Sequence, residues 1–268
     1  MTLLAVPLLL YLVLLAALYI RQRSFIYLPD RSRPDASRVG VAGLREASIV
    51  TADGLTLLAW YLPPPRPDAM VVVYFHGNGG NIGDRADRVR RFAAAEWGAL
   101  FPEYRGYGGN PDSPSEAGLL ADGRAAMEFL RRQGIPPKRM VIYGESLGTG
   151  VAVRMAGEQV QAIAALILES PFTSLTAMAR RQFPYVPVAL LLKDRFDSID
   201  RIQDVRGPIL VAQGGRDDIV PVAQGRALFV AAPEPKEIWL APDAGHNDLE
   251  DFGVVETAIA FAARHAAP

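Results

Sequence analysis

Residues 140–156 read MVIYGESLGTGVAVRMA. The opening MVIY is apolar and rich in β-formers, as a buried strand requires. From Leu147 to Val153 the residues are small or apolar, as a helix lying close on a sheet requires. Between the two stands Gly144-Glu145-Ser146-Leu147-Gly148. A strand that turns this sharply into a helix forces its central serine into strained backbone geometry, so the flanking positions must be small. The turn lifts the Ser146 hydroxyl clear of the sheet and aims the helix N-terminus at the same point. A plain glycine-rich helix entry is the competing reading. The strand before and the helix after favour a nucleophilic serine.

The chain around this unit alternates strands and helices. Glu46–Thr51 and Leu55–Leu62 are strand-like and are separated by the turn signal Asp53-Gly54. Ala69–Phe75 is a short apolar run of the kind found in buried parallel strands. A helix is expected over Asp84–Trp97. Ser113-Pro-Ser-Glu116 has capping-box spacing and opens a helix to about Gln133. Downstream, strand patterns at Ala164–Leu168, Pro208–Gln213 and Glu237–Leu240 alternate with helical patterns at Val222–Ala231 and Leu249–Arg264. An antiparallel start followed by such alternation predicts an α/β fold: a mostly parallel twisted sheet with helices on both faces. Chemistry in such sheets gathers at the carboxyl ends of the strands. That directs attention to the loops after Phe75, Phe101, Tyr143, Gln213 and Leu240.

The 268 residues carry 28 Lys+Arg against 29 Asp+Glu, and half are hydrophobic. Such a chain is neither disordered nor basic enough for general nucleic-acid binding. Cysteine is absent, which removes disulfides, Cys-ligated zinc, iron–sulfur clusters and a cysteine nucleophile together.

Thr2 to Ile20 is an uncharged, almost wholly apolar run. Nineteen residues of helix span about 28 Å, close to the hydrocarbon core of a bilayer. Residues 1–22 therefore read as a single membrane anchor, 23–44 as an Arg-, Pro- and Gly-rich linker, and 45–268 as the α/β domain. A secretory signal fits less well, because no basic residue precedes the run and no clean A-x-A site follows it. A buried core helix would need a polar face. Arg21, Arg23, Arg31, Arg33 and Arg38 all follow the anchor, which by the positive-inside rule places the catalytic domain in the cytoplasm.

A serine needs a base. Of the three histidines, His246 lies in the loop after the strand EIWL, where it could reach the serine. His265 is expected at the surface, and His76 as a structural hydrogen-bonder. The acid that would hold the base is Asp217 or Asp218, in the loop after PILVAQ. His76-Gly77-Asn78-Gly79-Gly80-Asn81 can present backbone N–H groups to a reacting carbonyl, so the oxyanion donors would be the N–H groups of Asn78 and Leu147. A phosphate cradle is the rival reading, but no GxxxxGK[ST] is present.

HGNGGN, PEYRGYGGN, GESLGTG, ESPFTSL, GRDDIVP and AGHND, in that order, resemble a serine α/β-hydrolase of the group that contains Bem46 and its ABHD-type relatives. The resemblance runs from about Phe25 to Phe261. It implies Ser146 as nucleophile, His246 as general base and Asp217 as the acid, since the family's D-x-x-V-P spacing falls on Asp217–Pro221. It also implies Asn78 as an oxyanion donor, and no metal or organic cofactor. Gln213-Gly214 stands where several relatives have His-Gly.

Residues from about 171 to 206 read as a small lid inserted over the serine. Its Phe172 and Phe183 could line an acyl pocket, although core packing accounts equally for an apolar run. Tyr104 and Arg105 lie at another strand end, where Arg105 could bind a substrate carboxylate or phosphate. The expected substrate is a small-molecule or lipid-like carboxylic ester or thioester. A peptidase or amidase on the same fold, and a non-catalytic membrane-tethered interaction protein, are the alternatives.

Overall fold

The computed structural model describes residues 2–265. Its helices are α1 (Thr2–Ile26), α2 (Ala86–Ala94), α3 (Glu116–Arg132), α4 (Leu147–Gly157), α5 (Leu175–Gln182), α6 (Val188–Leu191), α7 (Val222–Ala231) and α8 (Val254–His265). Its strands are β1 (Leu28–Pro29), β2 (Arg45–Val50), β3 (Thr56–Leu62), β4 (Val71–Phe75), β5 (Gly79–Gly80), β6 (Gly98–Pro102), β7 (Met140–Glu145), β8 (Ala165–Glu169), β9 (Ile209–Gly214) and β10 (Lys236–Ala241).

Eight strands form one sheet in the order β10-β9-β8-β7-β4-β6-β3-β2. β3 runs antiparallel to both its neighbours, and the other pairs are parallel. Every residue of β4, β8 and β9 is buried, which is why these strands read as near-continuous apolar runs, broken only by Glu169 and Gln213 at their carboxyl ends. The period of two splits β4 between the layers. Val71, Val73 and Phe75 pack under α3 and α4, whereas Val72 and Tyr74 pack under α2 and α8. The fold is that of the α/β-hydrolases.

Local chemistry moves several helix boundaries from their expected places. α3 is capped by Ser115, whose Oγ accepts the Gly118 N–H at 3.1 Å, and not by Ser113. The helix expected over Asp84–Trp97 opens with a 3-10 turn at Ile82–Arg85, held by an Asn81–Asp84 capping box. The C-terminal helix is broken at Gly253, which adopts φ +87° between a 3-10 turn and α8.

The largest departure is in residues 23–44. The apolar helix α1 is long and hydrophobic enough to cross a membrane, but it runs on to Ile26 and is then built into the body. Tyr27 is buried. β1 pairs in parallel with β5, and the Leu28 N–H donates to Asn78 O at 3.0 Å. Arg23 donates to buried Asp194 at 2.8 Å. These backbone groups find their partners in the HGNGGN turn rather than in water. A separate linker therefore does not describe them.

Candidate active site

Ser146 sits between β7 and α4 with φ 48° and ψ −116°, a region disfavoured for side chains other than glycine. Its N–H donates to Glu169 O at 2.8 Å, and its carbonyl accepts the Thr149 Oγ1 proton at 2.6 Å. The glycines on either side are demanded by contact. A Cβ on Gly148 would stand 2.0 Å from Phe75 O, and one on Gly144 would stand 2.6 Å from Gly148 O. The elbow can turn only because the α4 backbone rests directly on the strands.

His246 arrives from the loop after β10, and its Nε2 lies 3.0 Å from Ser146 Oγ. Its Nδ1 lies 2.8 Å from Asp217 Oδ2. Asp217 is buried and fully engaged. Oδ1 accepts the N–H groups of Ile219 (3.0 Å) and Val220 (2.7 Å), and Oδ2 accepts Gln213 Nε2 (2.8 Å) as well as His246. Four donors fix the carboxylate in direction. Asp218 is exposed at the cavity mouth and makes none of these contacts. Residues brought together from sequence separations of 100 and 29 thus form one hydrogen-bonded relay that can draw the proton from the hydroxyl.

The turn after β4 approaches from the other side. A Cβ on Gly77 would lie 3.6 Å from Ser146 Cβ. Asn78 is clamped: its carbonyl accepts from Leu28 N–H and, at 2.8 Å, from Tyr107 Oη, while its side chain donates to Ile26 O at 2.9 Å. Asn78 lines the cavity together with Ser146 and Leu147. Leu147 opens α4, so its N–H has no partner within the helix and carries the positive end of the helix dipole. His76 is wholly buried between Gly77 O (2.8 Å) and Glu103 Oε1 (2.9 Å), with Tyr104 against its ring. It braces the turn, as a structural hydrogen-bonder should.

The cavity at Ser146 has a volume of about 350 Å³. Phe172 and Phe183 line it, together with Leu175, Met178 and Val220. Tyr104 and Arg105 do not. Tyr104 is buried with its Oη on His76 O at 3.2 Å. Arg105 is consumed by Asp122 (2.7 Å) and Asp53 (2.8 Å), so it ties α3 to the β2–β3 turn and has no guanidinium edge left for substrate. A charged residue at a strand end is as readily a structural clamp as a ligand site, and burial decides which.

Five residues were not anticipated as contributors. Gln213 holds Asp217, and its place at the end of β9, four residues earlier, was the available signal. Phe25 and Ile26 of α1 line the cavity. Two carboxylates at adjacent strand ends, Glu145 and Glu169, are paired with Arg85 (2.8 Å) and Arg88 (2.6 Å) behind the elbow. Burial alone would raise the Glu145 carboxyl, but Arg85 and Arg88 outweigh it and hold the group well below the usual carboxylate range.

The fold and this arrangement define a hydrolase. The model of the family described as serine aminopeptidase, S33, matches residues 65–197. An uncharacterized protein of Mycobacterium tuberculosis is 43% identical over 233 residues, which cover 86% of this chain and 82% of that one. The bem46 protein of Schizosaccharomyces pombe is 33% identical over 255 residues, covering 88% of this chain and 84% of that one. An esterase of Pyrococcus furiosus superposes with a TM-score of 0.73 over 90% of this chain and 99% of its own, at 18% identity. The chain belongs to the Bem46-like group of serine α/β-hydrolases.

Proposed function

We propose that the protein hydrolyses carboxylic esters or thioesters of lipid-like or acylated molecules through an acyl-enzyme on Ser146. The observation that carries this reading is the relay from Ser146 Oγ to His246 Nε2 (3.0 Å) and from His246 Nδ1 to Asp217 (2.8 Å), beside a cavity with Phe25, Phe172 and Phe183 in its wall and Arg181, Gln182 and Asp218 among its polar lining.

His246 removes the Ser146 proton as Oγ bonds to the acyl carbon. The carbonyl electron pair moves onto oxygen, where the N–H groups of Asn78 and Leu147 stabilise it; one such donor is typically worth about 10²–10³ in rate. Collapse expels the alcohol or thiol, which takes its proton from the imidazolium. Water then attacks the acyl-enzyme with His246 again as base, releasing the acid and restoring the serine. Asp217 holds the imidazole tautomer and steadies its positive charge.

α1 acts as an uncleaved anchor in this reading. Its last turn contributes Phe25 and Ile26 to the cavity wall, so removal of the segment would open the site. The arginines that follow the apolar run favour a cytoplasmic catalytic domain.

A fluorophosphonate probe on the full-length protein tests the reading. Labelling of the wild type that is lost in Ser146→Ala supports an activated serine. An unlabelled, folded wild type would turn the reading towards a non-catalytic tethered protein. The family description keeps an aminopeptidase in play, and turnover of aminoacyl amides in preference to esters of matched size would replace the esterase reading with it.

A further inference from the structure

The cavity at Ser146 has a neighbour along α1. Phe25, Ile26, Ala179, Phe183 and Leu192 line it and also line a second cavity of about 100 Å³ further along α1. Leu18 and Tyr19 of α1 form one wall of that second space, and Val188 and Leu191 of the lid form the other. Its one amide side chain, Gln22, is already engaged: Nε2 donates to Leu191 O at 3.1 Å, and Oε1 accepts the Lys193 N–H at 2.7 Å. Water there would find few partners, so the space suits a hydrocarbon.

The second cavity lies on the anchor's side of the molecule. Tyr11 Oη donates to Tyr185 O at 2.7 Å, and Tyr11 precedes Tyr19 by eight residues, about 12 Å along a helix. The lid tip therefore lies alongside the membrane-crossing part of α1. Tyr185 and Leu190 are 87% and 82% exposed to solvent in the isolated chain, apolar surface that a bilayer would cover.

We propose that the second cavity is the distal acyl site, and that the membrane helix is one wall of it. This rests on the esterase reading above and extends it to the substrate class: a long, unbranched acyl ester drawn from the bilayer. The reacting carbonyl lies at Ser146, the chain passes the wall shared by Phe25 and Ala179, and its far end lies between α1 and the lid.

The test uses the full-length protein in detergent micelles with p-nitrophenyl butyrate and p-nitrophenyl palmitate. Leu18→Trp and Val188→Trp fill the distal space from opposite walls, so one of them can misfold without ending the test. Ile20→Trp places the same bulk on an exposed face of α1. Each buried methylene is worth about fourfold in binding. The palmitate-to-butyrate ratio of kcat/KM should therefore fall at least tenfold in either filling variant and stay at the wild-type value in Ile20→Trp. An unchanged ratio in both filling variants overturns the distal site and leaves the esterase reading standing. If the wild type cleaves neither ester, the esterase reading fails by itself. The cavity is then judged by binding of a fluorescent palmitate analogue to Ser146→Ala with and without Leu18→Trp: tenfold weaker binding supports it, and equal binding overturns it.

Discussion

Gln213 donates its Nε2 proton to the same Asp217 oxygen that accepts from His246 Nδ1, at 2.8 Å in both cases. It also reaches Val220 O at 3.0 Å, so one side chain fixes the carboxylate against the loop that carries it. A hydrogen bond to a charged group contributes about 1.5–3 kcal/mol. Gln213→Leu should lower kcat roughly 10- to 100-fold by that account, with little change in KM. Gln213→His, which restores a donor, should recover most of the loss. Steady-state kinetics on a short-chain ester would check both, and a fall confined to KM would remove Gln213 from its positioning role.

The neighbouring carboxylates should separate cleanly. Asp217→Asn leaves the shape of the relay but changes what the imidazole can donate to, and should cost about 10⁴-fold in kcat. Asp218→Asn, at an exposed position, should stay within a few-fold of wild type. Equal losses in the two variants would mean that the relay does not run through Asp217.

Gly148→Ala would drive a methyl to 2.0 Å from Phe75 O. Backbone cannot yield as a side chain can, so the cost should reach about 3 kcal/mol or more. For a chain of this size that lowers Tm by about 6–12 °C. Differential scanning calorimetry on the purified variant gives the answer, and an unshifted Tm would contradict the close contact of α4 with β4.

Arg23 ties the end of α1 to Asp194, which also accepts the Glu116 N–H at 3.1 Å at the start of α3. Arg23→Met leaves the buried Asp194 carboxylate short of a partner. The loss should be about 1–3 kcal/mol, softened because Arg23 itself is half exposed. Arg23→Lys should recover part of it in the same melting experiment.

Acid should weaken the elbow's support. The Glu145 carboxyl is lowered in the folded state, where Arg85 and Arg88 outweigh its burial. Its contribution is therefore complete above the unfolded carboxyl value of about 4.3 and is lost as pH falls through the lower folded value. Glu145→Gln should be less stable than wild type at neutral pH, and its Tm should fall less steeply below about pH 4.3. Parallel slopes would show that Glu145 does not carry this acid dependence.

Much of the fold and of the candidate site was legible in the chain because its signals are local. The strand–turn–helix around Ser146 announces itself through glycines that close backbone contact demands, and the buried strands through near-continuous apolar runs. Asp217 and His246 follow strands, so the rule that loops at carboxyl ends carry chemistry found both. Where two residues offered the same chemistry one position apart, as Asp217 and Asp218 do, family spacing chose between them, and the structure shows different burial for the two.

Arg105 and residues 23–44 mark where sequence runs out. Nothing local tells a free guanidinium from one enclosed by Asp53 and Asp122, because those carboxylates come from distant segments. Nothing local tells a linker from a segment that pairs β1 with β5 and lends Phe25 to the cavity. Periodicity and the strand–turn–helix motif determined the elements, the sheet class and which serine is the candidate nucleophile, since each depends on neighbours a few residues away. Which charges are paired, where α1 ends and what walls the acyl path were decided only by the tertiary structure, since each depends on groups that the fold alone brings within a few ångströms.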